Sequence, residues 1–190
     1  MGESPPAVAV SSIGDPLVSQ DALFSTSSIN LFGATSRTDG LVAAAWVLAL
    51  ALAKSRALDA RTLRTTLQGA FGASDAEGAW TWKDAYEAAE LAQVLFLRRH
   101  AATLMGDGIA SADTLTRLME VSALAPSQTR RSEDQVAFQQ FSTPIDLAYV
   151  ASVALDARPG DIVIEPSAGT GLLAIFPELA GARVHLNELD

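Results

Sequence analysis

The amino-acid sequence predicts an α/β chain, in which a helical bundle is followed by the opening βαβ unit of a parallel sheet. Two observations lead to this fold class. Helical patterns with capping residues follow one another through the middle of the chain, and the last third runs helix, strand, glycine loop, helix, strand. We therefore expect an irregular segment at 1–39, a helical domain at 40–130 and an incomplete α/β domain at 131–190.

Four helices are predicted in the helical domain, at about 40–56, 60–72, 79–105 and 111–125. Asp39 and Asp59 stand at the starts of the first two and have side chains that are preferred at helix N-caps. Gly106 follows the third helix, in the place where a glycine commonly ends one. Alanine is frequent in these segments, which predicts close contacts between the helices of a small bundle.

Aromatic and basic residues of the third helix have two interpretations each. Trp80, Trp82 and Tyr86 could stack on nucleic-acid bases, but ordinary core packing is the favoured interpretation. Arg98 and Arg99 precede a histidine near the predicted end of the helix. Cations at that end interact favourably with the helix dipole, and this role is favoured over a phosphate contact.

Composition and charge limit the possible functions. The chain of 190 residues has a formal net charge of −9, two histidines and no cysteine. Disulfides and thiolate metal sites are therefore excluded, and the histidines are too few for a histidine-based metal centre. A free-standing nucleic-acid binder is usually basic, so a contact with DNA must come from a local patch or from other parts of a larger protein.

No membrane association is expected. The most apolar stretch, residues 41–53, is shorter than the roughly 20 residues of a membrane-spanning helix, and a buried helix explains it better. No basic residue precedes Arg37, so the basic start of a secretory signal is missing. We therefore expect the protein to be cytoplasmic.

The sequence IVIEPSAGTG at 162–171 predicts a short buried strand that runs into a glycine loop. Glycines at such a junction expose backbone N–H groups and let a ligand approach the main chain. A phosphate-binding P-loop would need lysine and then serine or threonine after the last glycine, but two leucines follow here. A dinucleotide site stays open, because residues 169–174 fit its pattern and Glu188 ends the next strand, where a ribose hydroxyl would bind.

Two features distinguish this region from a common dinucleotide site. Glu165 and Pro166 precede the glycines, and FSTP at 141–144 opens a helix before the strand. Together these motifs resemble the start of an adenine-N6 DNA methyltransferase of the gamma type, in which cofactor motifs precede catalytic ones. The resemblance implies a truncated, Rossmann-like class I methyltransferase fold, of which only the first βαβ unit is present.

The resemblance also implies a site for S-adenosylmethionine. The F-x-T-P segment would lie over the methionine end, the E-P-x-x-G-x-G loop would wrap the amino-acid part and the ribose, and the acid after the second strand would hold the ribose hydroxyls. The matching residues are Phe141, Thr143, Pro144, Glu165, Pro166, Ser167, Ala168, Gly169, Thr170, Gly171 and Glu188. Local roles stay open for three of them. Thr143 could cap a helix, Glu165 could cap loop N–H groups, and Glu188 could be an exposed strand-end carboxylate.

A narrower resemblance covers the chain from about residue 41 to its end. This part is similar to the N-terminal region of large bacterial and plasmid proteins that join a methylase-like domain to a strawberry notch-like helicase domain. The resemblance implies that DNA is a partner through the parent protein. It also implies a helicase domain or subunit as a further partner.

The catalytic half of the site is expected to be missing. Adenine methylation must hold a flipped base and its exocyclic amine, for which the family uses an Asn-Pro-Pro-aromatic loop. The chain contains neither Asn-Pro-Pro nor Asp-Pro-Pro. We therefore expect an N-terminal piece of a longer protein that is inactive by itself. The alternatives are a non-catalytic helical adaptor or cofactor-sensing module of a helicase and, less favoured, an NAD-binding fragment.

Overall fold

The computed structural model of the protein describes residues 36–106, 112–126 and 142–188. Within these ranges there are six α-helices and two β-strands. The helices are α1 (Arg37–Ala53), α2 (Ala60–Phe71), α3 (Trp82–Met105), α4 (Ala112–Leu124), α5 (Ile145–Leu155) and α6 (Ile175–Leu179). The strands are β1 (Ile162–Glu165) and β2 (Arg183–Leu186).

The predicted α/β fold class, with its truncated Rossmann-like unit, is wrong. Helices account for 64% of the described residues and strands for 6%, and the two strands form one two-stranded sheet. A Rossmann sheet is covered by helices on both faces, whereas Ile162 and Ile164 of β1 are 65% and 71% exposed. The described chain is a helical bundle that carries a short pair of parallel strands.

Capping residues determine where α1 begins and where α2 begins and ends. Asp59 accepts a hydrogen bond from the backbone N–H of Thr62 at 2.7 Å, which confirms its role as an N-cap. Gly72 ends α2 with φ of 76°, in the left-handed region. The first helix starts earlier than predicted. Ser36 is its N-cap and accepts from the N–H of Asp39 at 3.1 Å, so Asp39 lies inside the first turn.

The core is centred on α1 and α3. Alanine at a contact between two helices lets their backbones approach closely. Larger apolar side chains then pack around this contact. Six alanines of the two helices are at most 1% exposed: Ala44, Ala45, Ala85, Ala88, Ala89 and Ala92. Leu48 of α1 and Leu97 of α3 are also fully buried. The apolar stretch at 41–53 therefore forms part of a helix that buries one side in the bundle, while Val42, Val47 and Leu50 are exposed.

A buried carboxylate joins the N-terminal ends of α1 and α3. Asp84 is fully buried and accepts from the N–H and the hydroxyl of Thr81, at 2.6 and 2.8 Å. Arg37 of α1 donates to the same carboxylate through Nε at 2.8 Å. Because all three donors satisfy one charge, the carboxylate is tolerated in the core and specifies how the two helix ends meet.

The aromatic residues at the start of α3 belong to the core. Trp80 is 1% exposed, and its indole N–H donates to the carbonyl of Ala73 at 3.1 Å. Tyr86 is also buried, and its ring contacts that of Trp82. Stacking of Trp80 on a nucleic-acid base is therefore excluded by its burial.

The C-terminal part attaches to the bundle through α5 and α6. The hydroxyl of Ser122 in α4 donates to Asp146 of α5 at 3.0 Å. The rings of Tyr149 in α5 and Phe176 in α6 meet edge to face, with centroids 5.6 Å apart. The helix after the loop is only five residues long, because the three residues before Ile175 form turns.

Across the described ranges, no helix has both the length and the apolar character that are needed to cross a membrane. The most apolar of the predicted segments lies in α1, which has 17 residues and buries one side against α3.

We expect Gly40→Ala to destabilise the protein. An added Cβ would lie 2.7 Å from Cζ of Phe71, so the ring must shift to make room. The expected cost is about 1 kcal/mol in the free energy of unfolding. Urea denaturation followed by circular dichroism measures it.

Gly69→Ala is the matched control, because this glycine is also helical but nothing lies within 4 Å of its added Cβ. Alanine should stabilise α2 there by up to about 1 kcal/mol through its higher helix propensity. Equal effects of the two substitutions would contradict the packing of α1 on Phe71.

Candidate functional site

The glycine loop, residues 166–171, and Glu188 lie together at the carboxyl ends of the two strands. β1 and β2 run parallel, so the segments that follow them leave the sheet at the same edge. The N–H of Asn187 donates to the carbonyl of Glu165, and the N–H of Ala168 donates to the carbonyl of Asn187, both at 2.9 Å. The strand pairing thus continues into the loop and unites the two motifs that the sequence assigned to one site.

The loop conformation depends on two glycines. Gly169 and Gly171 have φ values of 51° and 86°, in the left-handed region that residues with a Cβ rarely adopt. A Cβ at either position would meet no atom within 4 Å. The glycines are therefore required for the turn of the backbone, and the space above them is open to a ligand.

Carboxylates bind two of the loop N–H groups. Oε1 of Glu165 accepts from the N–H of Ser167 at 2.9 Å. Oε2 of Glu188 accepts from the N–H of Gly169 at 2.5 Å. The local capping role that was open for Glu165 is thus present, and Glu188 contacts the loop directly.

Carbonyl oxygens bind two more of these groups. Ala168 donates to Asn187, as described, and Gly171 donates to the carbonyl of Ala168 at 2.7 Å. Among the five N–H groups from Ser167 to Gly171, that of Thr170 alone has no hydrogen-bond partner within the described residues. The loop therefore offers few free donors to an anion.

This arrangement is opposite to that of a phosphate-binding loop, in which several backbone N–H groups point at the anion. Here the protein's own carboxylates accept from two of the loop N–H groups, in the place of an anionic ligand. Their negative charge favours a positively charged ligand. Glu188 uses one oxygen for Gly169, and its second oxygen can still accept from a ligand hydroxyl. In the described ranges, histidine, aspartate and glutamate side chains form no group of three or more that could hold a metal ion.

Asn187 is a site residue that the sequence did not single out. Besides its two backbone bonds, its side-chain Nδ2 donates to the carbonyl of Pro166 at 3.1 Å. The residue therefore holds both ends of the segment from Pro166 to Ala168. An asparagine directly before the strand-end acid was the available signal, since asparagine side chains commonly bind nearby backbone groups.

The F-x-T-P segment is only partly described. Phe141 lies outside the described residues. The N-cap of α5 is Pro144, without a side-chain cap, so Thr143 does not cap this helix. Between the described atoms, no hydrogen bond joins Thr143 or Pro144 to the glycine loop. The structure connects α5 to this region through the ring contact of Tyr149 with Phe176.

The third helix supports the loop from the side of the bundle. Leu172 and Ile175 follow the glycines and are 4% and 1% exposed, in the core cluster that includes α3. Arg98 of α3 donates from one guanidinium nitrogen to both oxygens of Glu178, at 2.8 and 3.1 Å. Because α3 continues to Met105, Arg98 is not at the helix end, and the predicted dipole role is wrong.

A second contact from α3 reaches the loop itself. Oγ1 of Thr170 lies 3.5 Å from Oε2 of Glu90, across 80 positions of the sequence. The sequence contained no signal for this pairing, because Glu90 is one of several acidic residues on a long helix.

Comparison with protein-family models, with curated proteins and with solved structures finds no match for the chain. The assignment of a function therefore depends on the sequence motifs and on the geometry of the glycine loop.

We expect Glu188→Ala to loosen the loop. Without its acceptor, the N–H of Gly169 should exchange with solvent about fivefold faster, the ratio expected for a modest local stabilisation. Amide hydrogen exchange measured by NMR gives the rate.

Glu178→Ala is the control, because Glu178 is also an exposed carboxylate of this part of the chain but bonds Arg98 and not the loop. Exchange at Gly169 should be unchanged in that variant. The same rate in both variants would show that Glu188 does not hold the loop.

Proposed function

We propose that this chain is the S-adenosylmethionine-binding portion of a DNA adenine-N6 methyltransferase. One observation carries the proposal. Two parallel strands bring a glycine loop and Glu188 together, and two of the loop N–H groups donate to the carboxylates of Glu165 and Glu188. The motif order that resembles this family accompanies that geometry.

The charge of the ligand separates the two cofactor classes that the motif allows. S-adenosylmethionine carries a sulfonium cation, whereas NAD carries a pyrophosphate. A unit charge 4 Å from a carboxylate interacts by about 1 kcal/mol in bulk water and about 4 kcal/mol near a protein surface. The sign is favourable for the sulfonium and unfavourable for the pyrophosphate. The carboxylates at the loop therefore support S-adenosylmethionine.

In this proposal, each of the residues that match the family motifs binds a different part of S-adenosylmethionine. Residues 166–171 wrap the amino-acid part and the ribose, because their backbone is free of crowding at the two glycines. The second carboxylate oxygen of Glu188 accepts from the ribose hydroxyls. Thr143 and Pro144, with Phe141, belong to the methionine end.

DNA binding is proposed for the parent protein, with a helicase domain or subunit as a further partner. From Arg130 onward the chain has four arginines and nine acidic residues, a net charge of 4 − 9 = −5. Such a net charge repels phosphates, which dominate non-specific affinity for DNA. Basic groups outside this part of the chain must therefore contact the nucleic acid.

We expect the chain to bind S-adenosylmethionine and S-adenosylhomocysteine weakly, and both more tightly than NAD. The carboxylates beside the loop account for the ranking. Titration of the 15N-labelled chain, with the Gly169 and Gly171 amides as probes, gives the three affinities.

Glu178→Ala should leave these affinities unchanged, since its carboxylate bonds Arg98 and not the loop. Tighter binding of NAD than of S-adenosylhomocysteine would reverse the assignment. Binding of none of the three ligands would favour the helical adaptor.

We also expect no methyl transfer to DNA from this chain. Transfer requires the base nitrogen to be held roughly 3–3.5 Å from the methyl group, and the chain lacks the Asn-Pro-Pro-aromatic motif that does so in the family. Incorporation of labelled methyl groups into unmethylated DNA is the assay, with a boiled sample as the blank. Incorporation that Glu188→Ala abolishes would reveal a catalytic centre in these residues.

A further inference from the structure

Thr170 is the loop residue that α3 contacts directly. It lies between the two glycines with positive φ, and its hydroxyl is 3.5 Å from the carboxylate of Glu90. A carboxylate only accepts hydrogen bonds when ionised, so the hydroxyl is the donor in this contact. The oxygen of Thr170 then presents only acceptor positions to a ligand.

Glu90 lies on a rigid part of the bundle. Its neighbours Ala88, Ala89 and Ala92 are at most 1% exposed and pack in the core. Glu90 itself is half-buried. The loop, by contrast, owes its conformation to glycines. A carboxylate on a well-packed helix can therefore fix the position of Thr170, whose neighbouring glycines would allow other backbone conformations.

The loop and the helix after it each have one side-chain contact of their own with α3. Glu90 contacts Thr170, and Arg98 binds Glu178, eight residues further along α3. Eight residues of helix span about 12 Å. Leu172, which follows the loop, is 4% exposed and belongs to the core cluster that includes α3.

From this arrangement we infer that Glu90 is a positioning residue of the ligand site, through which the helical bundle determines the ligand affinity of the glycine loop. The inference rests on the proposed function. Hydrogen bonds at unliganded sites are often long and tighten in the complex, and the contact of Glu90 with Thr170 is a long one. Ligand binding at the loop then strengthens the contact of Glu90 with Thr170, and this contact in turn strengthens ligand binding, because coupling between two sites is reciprocal.

The test compares two isosteric substitutions on α3. Glu90→Gln removes the negative charge that lies 3.5 Å from the Thr170 hydroxyl, and Glu87→Gln removes a charge one turn earlier that pairs with Lys83 at 3.5 Å. Titration of the full 190-residue chain with S-adenosylmethionine gives the affinities. We expect about fivefold weaker binding for Glu90→Gln and unchanged binding for Glu87→Gln. Thermal melting should show both variants folded.

Substitutions of Thr170 separate positioning from a general structural role. Thr170→Ser keeps the hydroxyl and should keep the affinity, whereas Thr170→Val should lower it as Glu90→Gln does. Adding Glu90→Gln to Thr170→Val should then have no further effect, because both changes act on the same contact.

Three results would overturn the inference. Equal affinities of Glu90→Gln and Glu87→Gln would do so while leaving the proposed function intact. Additive losses in the Glu90→Gln, Thr170→Val double variant would show that Glu90 acts elsewhere. Failure of the unsubstituted chain to bind S-adenosylmethionine would remove the proposed function, and the inference with it.

Discussion

The close packing of α1 against α3 is the constraint on which the remaining structure depends. Buried alanines let the two helices approach, and Asp84 joins their N-terminal ends through Arg37. Every later part of the described chain is attached, directly or through a neighbour, to this pair. The glycine loop lies against α3, which brings Glu90 to Thr170 and Arg98 to Glu178. The position of the candidate site is therefore a property of the helical bundle as much as of the strands that carry it.

The candidate site combines a permissive backbone with fixed negative charge. Gly169 and Gly171 allow the turn, and Glu165 and Glu188 accept from two of the N–H groups that a phosphate would otherwise use. A glycine-rich loop between strand and helix is commonly associated with anions. In this protein the hydrogen-bond pattern gives it the opposite electrostatic preference. The electrostatic preference of this loop thus depends on which N–H donors remain free, and not on the glycines alone.

The strand pair explains why the predicted fold class failed. A four-residue apolar strand, a glycine loop and a second strand are also the start of a large parallel sheet, so the local pattern is the same in both cases. The class depends on how much of the core lies in the sheet. Here Ile162 and Ile164 stay exposed, while the core cluster lies among the helices. Parallel pairing of β1 with β2 gives the site its geometry without making the sheet a layer of the fold.

The sequence by itself determined the features that depend on residues three or four positions apart. It located β1, the glycine loop, the cap at Asp59 and the end of α3 at Gly106, because caps and turns satisfy nearby backbone groups. It also predicted that the loop and Glu188 lie in one candidate site, because two parallel strands end at the same edge of a sheet. Only the tertiary structure decided which donors of the loop are occupied and that Glu90 reaches Thr170 across 80 positions. Such contacts depend on how whole helices pack, and a local pattern contains no information about the partner that packing supplies.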